Sequence, residues 1–301
     1  LSQEDQLTSK LKGWYEDEKY DQIIKYKKGS MKSWPAKAIY YKGMAHYMQE
    51  EDKEAMDMLD KAIKKGPVDQ DMYYYKGMLY YYAKSYKRAI VYYDKAIELL
   101  SDEPEFYSSK GLAFLQLEEV DSARFYLLKA TSFDNCDSDV YGTLGSLSLD
   151  ETNYKESISY FKKEAAMLEE KTESHQRSSY NIALVQQQGQ FYADAEESLK
   201  KHLEMYEGDY QAVGKLIQVL YAQDRLADAR EFEDIMAQGN EKKELPDGLD
   251  YMFCFDQFLV NDIRIMAFRA HEKHDDQVIV WKYKFFVLNV EVKFDYKVNA
   301  I

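Results

Sequence analysis

The sequence predicts a mostly α chain: an α-α superhelical solenoid of short helix pairs, followed by a small antiparallel β meander. Three observations carry this. Small residues return at a fixed period of 34 residues, and the stretches between them space apolar side chains three and four apart. Beyond about residue 240 that spacing gives way to strict alternation. A fixed period in the 20–50 range is the mark of stacked repeats, and the change of apolar period marks a change of element type.

The period is read from Gly43, Gly77, Gly111 and Gly145. Ala55, Ala89 and Ala123 follow the first three by twelve residues, and Ala62, Ala96 and Ala130 follow seven later. In DMYYYKGMLYYYAKSYKRAIVYYDKAIELL the helical pattern breaks near Lys84–Ser85, so each period is a pair of antiparallel helices. Glycine on the first helix and alanine on the second imply close approach of the two axes. A larger side chain at Gly77 is expected to overpack that contact by roughly 1–3 kcal/mol.

Tyr73, Gly77, Tyr80, Tyr86, Ala89, Tyr93 and Ala96 follow an aromatic, small, aromatic, aromatic, small, aromatic, small order. That order resembles the tetratricopeptide repeat, a 34-residue helix–turn–helix unit. Pro35 and Pro67 stand where such units often close. Extending the register gives seven units, at about 4–35, 36–69, 70–103, 104–137, 138–175, 176–209 and 210–240. The fifth is four residues longer, with the extra turn assigned to AAMLEEKTESHQRSS. Lys42, Lys76 and Lys110 depart from the family's leucine and are expected to lay their stems on the surface with the ammonium in water. The outer units are degenerate, as solenoid ends commonly are.

The domain plan is therefore a solenoid over 1–240, a linker over 241–250 and a β segment over 251–301. VEVKFDYKV sets Val290, Val292, Phe294, Tyr296 and Val298 on one face. Strands are expected at about 251–260, 263–271, 277–287 and 290–300, with connections at VND (260–262) and KHDD (273–276). The segment either caps the last helix pair or is a binding and assembly module with a free edge strand.

The resemblance implies that the first helices of successive units line a concave face. Its groove positions fall here on Tyr40, Met44, Tyr47, Tyr74, Met78, Tyr81, Leu112, Tyr180 and Leu184, with Ser108, Leu115 and Gln187 beside them. Tyrosine offers contact area at low entropy cost and methionine adapts its shape. The stripe therefore suits an extended peptide or a partner helix. On this reading Tyr74→Ala with Met78→Ala weakens binding at little thermal cost; the competing reading is that Tyr40 and Tyr74 thicken the core. The lysine–asparagine clamp that grips a terminal carboxylate in some relatives is not matched, since only Asn181 and Lys215 remain.

Other function classes find little support. Net charge is −14, from 54 acidic and 40 basic residues, which opposes nucleic acid. No run of about eighteen apolar residues exists to span a bilayer. Cys136 and Cys254 are too few and too far apart for a disulfide framework or a CxxC site. HEKHDD (271–276) holds zinc-ligand residue types but falls at an expected hairpin tip, so a solvated turn is expected and no metal or cofactor is assigned. His46 is expected to be a packed core histidine, and His175 and His202 to lie in helices without a partner constellation. No nucleophile elbow or phosphate-cradling glycine loop appears, so the chain is read as a non-enzyme. It begins at Leu1 without an initiator methionine, so cytoplasmic and exported residence, with a removed signal sequence, are both open. Oligomeric state is not encoded in repeat periodicity.

Overall fold

Why the chain turns back on itself every 34 residues is visible in its backbone. The computed structural model describes residues 3–27 and 29–246, with the backbone alone of 253–260, 263–274, 278–287 and 290–297. The side chains of HEKHDD, and the connections at 261–262 and 275–276, lie outside the described residues. So does the side chain of Cys254. Among the described residues fourteen α-helices follow one another. They are α1 (Gln3–Glu16), α2 (Tyr20–Lys25), α3 (Ala36–Met48), α4 (Asp52–Lys65), α5 (Gln70–Tyr82), α6 (Tyr86–Leu99) and α7 (Pro104–Leu115). Then come α8 (Val120–Ala130), α9 (Ser138–Asp150), α10 (Tyr154–Met167), α11 (Glu173–Gln188), α12 (Tyr192–Met205), α13 (Tyr210–Ala222) and α14 (Leu226–Lys242). The chain is a mostly helical repeat structure.

From α3 onward each first helix stops at a residue in the left-handed region: Glu50, Lys84, Glu118, Thr152, Gln190 and Asp224, with φ between 56° and 62°. The next amide reaches back five residues to close the turn. Glu51 N–H donates to the His46 carbonyl at 2.9 Å, Ser85 N–H to Tyr80 and Asn153 N–H to Ser148 at 2.8 Å. This is the Schellman arrangement, which satisfies carbonyls that a helix end leaves open. Successive turns are 34 residues apart except from Thr152 to Gln190, where the step is 38. The insertion thus lies between those turns, and α11 begins at Glu173. First-helix starts are capped where the sequence supplies an acceptor: Asp69 for Met72 N–H, Thr172 for His175 N–H and Asp209 for Ala212 N–H.

The glycines mark the closest helix approach. A Cβ on Gly77 would stand 2.6 Å from Tyr93 Cε1, one on Gly111 2.9 Å from Leu127 Cγ, and one on Gly43 3.0 Å from Met58 Cβ. Ala55, Ala62, Ala89, Ala96, Ala123 and Ala130 are fully buried.

The chain divides into two compact units, Leu1–Leu144 and Gly145–Ile301, with the division inside α9. The first unit holds one core around Leu11, Ile23, Trp34, Met44, Leu59 and Met72, and another around Tyr74, Tyr93 and Phe106. The second unit holds a core around Phe161, Ile182 and Val185, and another around Leu199, Leu216, Leu220 and Met236. Cys136 is buried, which pushes its thiol up to about 11.

One expectation is corrected here. Lys42, Lys76 and Lys110 do not extend their ammonium groups into water; all three are buried. Lys76 is ion-paired with Asp60 of α4, and Lys110 with Asp94 of α6, each sixteen residues upstream. Lys42 instead donates to the carbonyls of Ile24 at 2.7 Å and Tyr26 at 3.1 Å. Each ammonium also lies by a ring: Trp34 at 5.5 Å, Tyr92 at 4.6 Å and Tyr126 at 3.8 Å from the centroid. The surface reading failed because the preceding helix supplies the acceptor, so burial does not strand the charge.

Candidate functional site

In the first unit the first-helix tyrosines form one connected set. Tyr15 stands 5.8 Å from Tyr41, Tyr41 5.3 Å from Tyr40, and Tyr40 6.4 Å from Tyr75. Tyr75 is 5.5 Å from Tyr47 and 5.2 Å from Tyr74, whose ring lies 5.0 Å from Phe106 of α7. Most of these contacts are edge-on or tilted, the arrangement ring quadrupoles favour. The set spans α1, α3, α5 and α7.

Its members differ in what they leave accessible. Tyr40 is 6% exposed, Met44 1% and Tyr74 4%. Tyr74 donates its hydroxyl to Glu105 at 2.7 Å, and its ring is closed in by Tyr93 and Phe106. Tyr47, Met78 and Tyr81 are half-buried, and Leu112 is 37% exposed. The column Met44, Met78, Leu112 therefore opens progressively along the unit. Tyr93 of α6 donates to Met78 Sδ at 3.4 Å, which ties the thioether to the second helix of its pair. In the second unit Tyr180 and Leu184 are half-buried, with the Tyr180 ring 6.0 Å from His202.

Three partly exposed tyrosines were missed by the groove positions: Tyr41, Tyr75 and Tyr82, the last 56% exposed. A signal for the first two existed, since Tyr41 and Tyr75 are one period apart. Burial pushes the hydroxyls of Tyr40, Tyr41, Tyr74 and Tyr75 upward, with nearby carboxylates adding to it. Those carboxylates are Asp69, Asp71, Glu16 and Glu105. They stay neutral hydrogen-bonding phenols at ordinary pH.

Lys37 shows how this surface holds a cation. It is ion-paired with Asp69, lies 3.6 Å from Asp71, and sits 4.3 Å from the Tyr40 ring centre and 5.9 Å from that of Tyr41. Burial pushes the Asp71 carboxyl above its ordinary range, against the pull of Lys37 and with the push of Asp69.

The second unit corrects the reading of its histidines, which do have partners. Ser179 Oγ lies 2.7 Å from His202 Nδ1, and His202 Nε2 lies 3.0 Å from Asp209 Oδ2. Asp209 also accepts from Gln176 Nε2 at 3.0 Å and Ala212 N–H at 3.1 Å. The residue types are those of a hydrolase triad, but the serine hydroxyl also reaches the Gln176 carbonyl at 2.9 Å, and His202 is 1% exposed. Both ring nitrogens of His202 are thus engaged within the fold. The constellation ties α11, α12 and α13 together. His175 Nδ1 meets Tyr206 Oη at 2.6 Å, and His46 Nδ1 meets Glu51 Oε2 at 2.5 Å. Sequence could not pair these residues, because each partner lies on another helix or in a turn.

Among the described residues no cluster of His, Cys, Asp or Glu is arranged to hold a metal, and no helix is long and apolar enough to cross a membrane.

The tetratricopeptide repeat pattern matches residues 40–104, 74–135 and 180–242. No curated protein matches the chain. Among solved structures, the C-terminal part of a repeat-containing protein from Cytophaga hutchinsonii aligns at TM-score 0.56 and 18% identity, covering 68% of this chain and 83% of its own. A tetratricopeptide repeat protein from Parabacteroides merdae aligns at 0.51 and 13%, covering 67% and 79%. The MamA protein aligns at 0.50 and 20%, covering 57% and 92%. At these identities the likeness speaks of fold alone.

Proposed function

The chain belongs to the tetratricopeptide repeat family, and from that premise we propose a non-enzymatic protein–protein interaction scaffold that binds an extended peptide or partner helix in a Tyr/Met-lined groove. The observation that carries the groove is the run of half-buried aromatic and thioether side chains on successive first helices, Tyr41 and Tyr47 on α3 and Tyr75, Met78 and Tyr81 on α5, followed by the exposed Leu112 on α7. Tyr40, Met44 and Tyr74 form its floor and hold those rings in place. In the second unit, taken by itself, Tyr180 and Leu184 are half-buried side chains of the same kind. A partner's apolar side chains would displace water from these faces while the tyrosine hydroxyls bond its backbone.

The test is photo-crosslinking in the intact chain from position 78, repeated with Tyr75→Ala and Tyr81→Ala. A single partner crosslinked at 78 and lost in both variants is the expected result. A crosslink indifferent to both tyrosines would remove the groove from consideration.

A second reading gives recognition to the tail, with the helical region as spacer. We propose that a linker over 241–250 leads to a β meander over 251–301. In its support, the backbone of β1 (Phe253–Val260), β2 (Ile263–His274), β3 (Val278–Val287) and β4 (Val290–Lys297) pairs in sequence order, each strand antiparallel to the one before. Such an order leaves β1 and β4 as edges able to add a strand. Crosslinks found only from position 292 would favour this reading over the groove.

A further inference from the structure

The start of each first helix in the first unit carries a second column beside the tyrosines. At 34-residue spacing it reads Lys37, Asp71, Glu105 and Asp139. Acidic residues suit the first turn of any helix, because they oppose the positive end of its dipole. The dipole accounts for part of the pattern: α11, which begins a turn before Arg177, has Glu173 in its first turn, while α13 has Gln211 and no acid there. What sets Asp71 and Glu105 apart is their place among the first unit's tyrosines, beside the Lys37 that lies over Tyr40 and on the Tyr74 hydroxyl.

We infer that this groove selects a basic peptide segment, whose lysine or arginine side chains lie across the accessible tyrosine faces beside Asp71 and Glu105. The inference rests on the groove reading above and adds the charge of its occupant. Charge complementarity is the first argument. Asp71 is half-buried and only partly neutralised by Lys37, while Glu105 is exposed and accepts from a neutral phenol. A carboxylate drawn out of water with incomplete pairing gains from a further cation.

The second argument is the way the molecule treats its own ammonium groups. Lys37, Lys76 and Lys110 each combine a carboxylate with a ring face, at 4.3, 4.6 and 3.8 Å from the ring centre. Lys95 lies 5.5 Å from the Tyr73 ring and 4.9 Å from that of Tyr92. Ring and carboxylate together make a cation site stronger than either alone. Tyr75 stands beside both Asp71 and Glu105, whose charges act on its hydroxyl. It repeats that combination on a half-buried ring, and among the described residues no lysine lies over its face. An acidic peptide or a terminal carboxylate would meet repulsion at the same place.

A phage-displayed random peptide library selected on the full chain tests this. The wild-type pool is expected to be enriched in Lys and Arg several-fold over the starting library, interleaved with apolar residues. The Asp71→Asn/Glu105→Gln variant is expected to lose the Lys/Arg enrichment and keep the apolar one. The pair Glu231→Gln/Asp234→Asn, both exposed on α14, should change nothing. If that control loses the enrichment equally, the attraction comes from net charge and the inference fails. An apolar pool without Lys or Arg overturns the inference and leaves the groove standing. A pool unchanged by Tyr75→Ser and by Tyr81→Ser, with circular dichroism showing both variants folded, removes the groove itself. Failure to select any peptide overturns both.

Discussion

Lys76 and Lys42 occupy the same place in successive repeats, and their partners set their acidity in opposite directions. Burial alone would lower both; at Lys76 the Asp60 carboxylate and Tyr92 outweigh it and the amine is raised. Lys42 bonds backbone carbonyls in place of a carboxylate, so burial prevails, Lys27 adds to it, and the amine is lowered. Losing Lys76 leaves Asp60, whose side chain is 55% exposed, solvated by water, whereas losing Asp60 strands a buried ammonium without its partner. Lys76→Leu should therefore shift stability by less than about 1 kcal/mol, and Asp60→Ala should cost ~1–3 kcal/mol, read from urea midpoints. Gly77→Ala should cost roughly 1–3 kcal/mol by overpacking against the Tyr93 ring. Gly214→Ala, whose nearest neighbour would be Met236 Cε at 3.9 Å, should gain about 0.5–1 kcal/mol from helix propensity. Tyr74→Ala should cost several kcal/mol, on the order of other large-to-small core changes. It is thus a packing mutation, and the sequence-based expectation of a small thermal cost is reversed.

At the scale of the element, every helix pair is joined by a turn that forces a side-chain-bearing residue into left-handed geometry. Glycine adopts this without steric cost, yet Lys84 and Thr152 hold two of these places. Thr152 is β-branched, so its strain there is the greater. Thr152→Gly is expected to raise stability by about 1 kcal/mol and Lys84→Gly by about half that, the glycine's unfolded-state entropy offsetting part of each gain. Thermal unfolding of the two variants would show the order, and a loss in both would mean the turns are not strained. The pairing of helices was legible in sequence because backbone contact demands small residues whatever surrounds them. The side of each helix was less so. Helical positions five and six, Tyr74 and Tyr75, are separated by one residue's rotation, and their rings touch. Which one is buried was settled by Phe106, a ring contributed by the next repeat. The lysine pairs were written in the sequence as Asp60–Lys76 and Asp94–Lys110, one period apart. They were not found because a sixteen-residue separation corresponds to no contact within a single helix.

For the molecule as a whole, response to acid depends on carboxylates that bind protons differently when folded. In the second unit, hydrogen bonds from His202, Gln176 and the Ala212 amide hold Asp209 at about 2 despite opposing burial. Glu196 is also held at about 2: burial would raise it, but Lys200, Gln223 and Arg225 lower it. A depressed folded value means the folded state binds its proton less readily than the unfolded chain. Stability from Asp209 is therefore fully present above its ordinary 3.8 and is lost as pH falls from there through about 2. For Glu196 the loss begins at its ordinary 4.5. Asp71 in the first unit has the opposite sign, since its raised value favours the protonated folded form and its contribution is lost as pH rises. Asp209→Asn keeps an oxygen for the α13 cap but replaces the oxygen that accepts from His202 and Gln176 with an amide donor. Its urea midpoint should lie below wild type at neutral pH, and the gap should narrow between about pH 4 and pH 2. A gap that stayed constant across that window would mean that the carboxylate's charge contributes nothing, and that the clasp of α11, α12 and α13 is held by neutral hydrogen bonds alone.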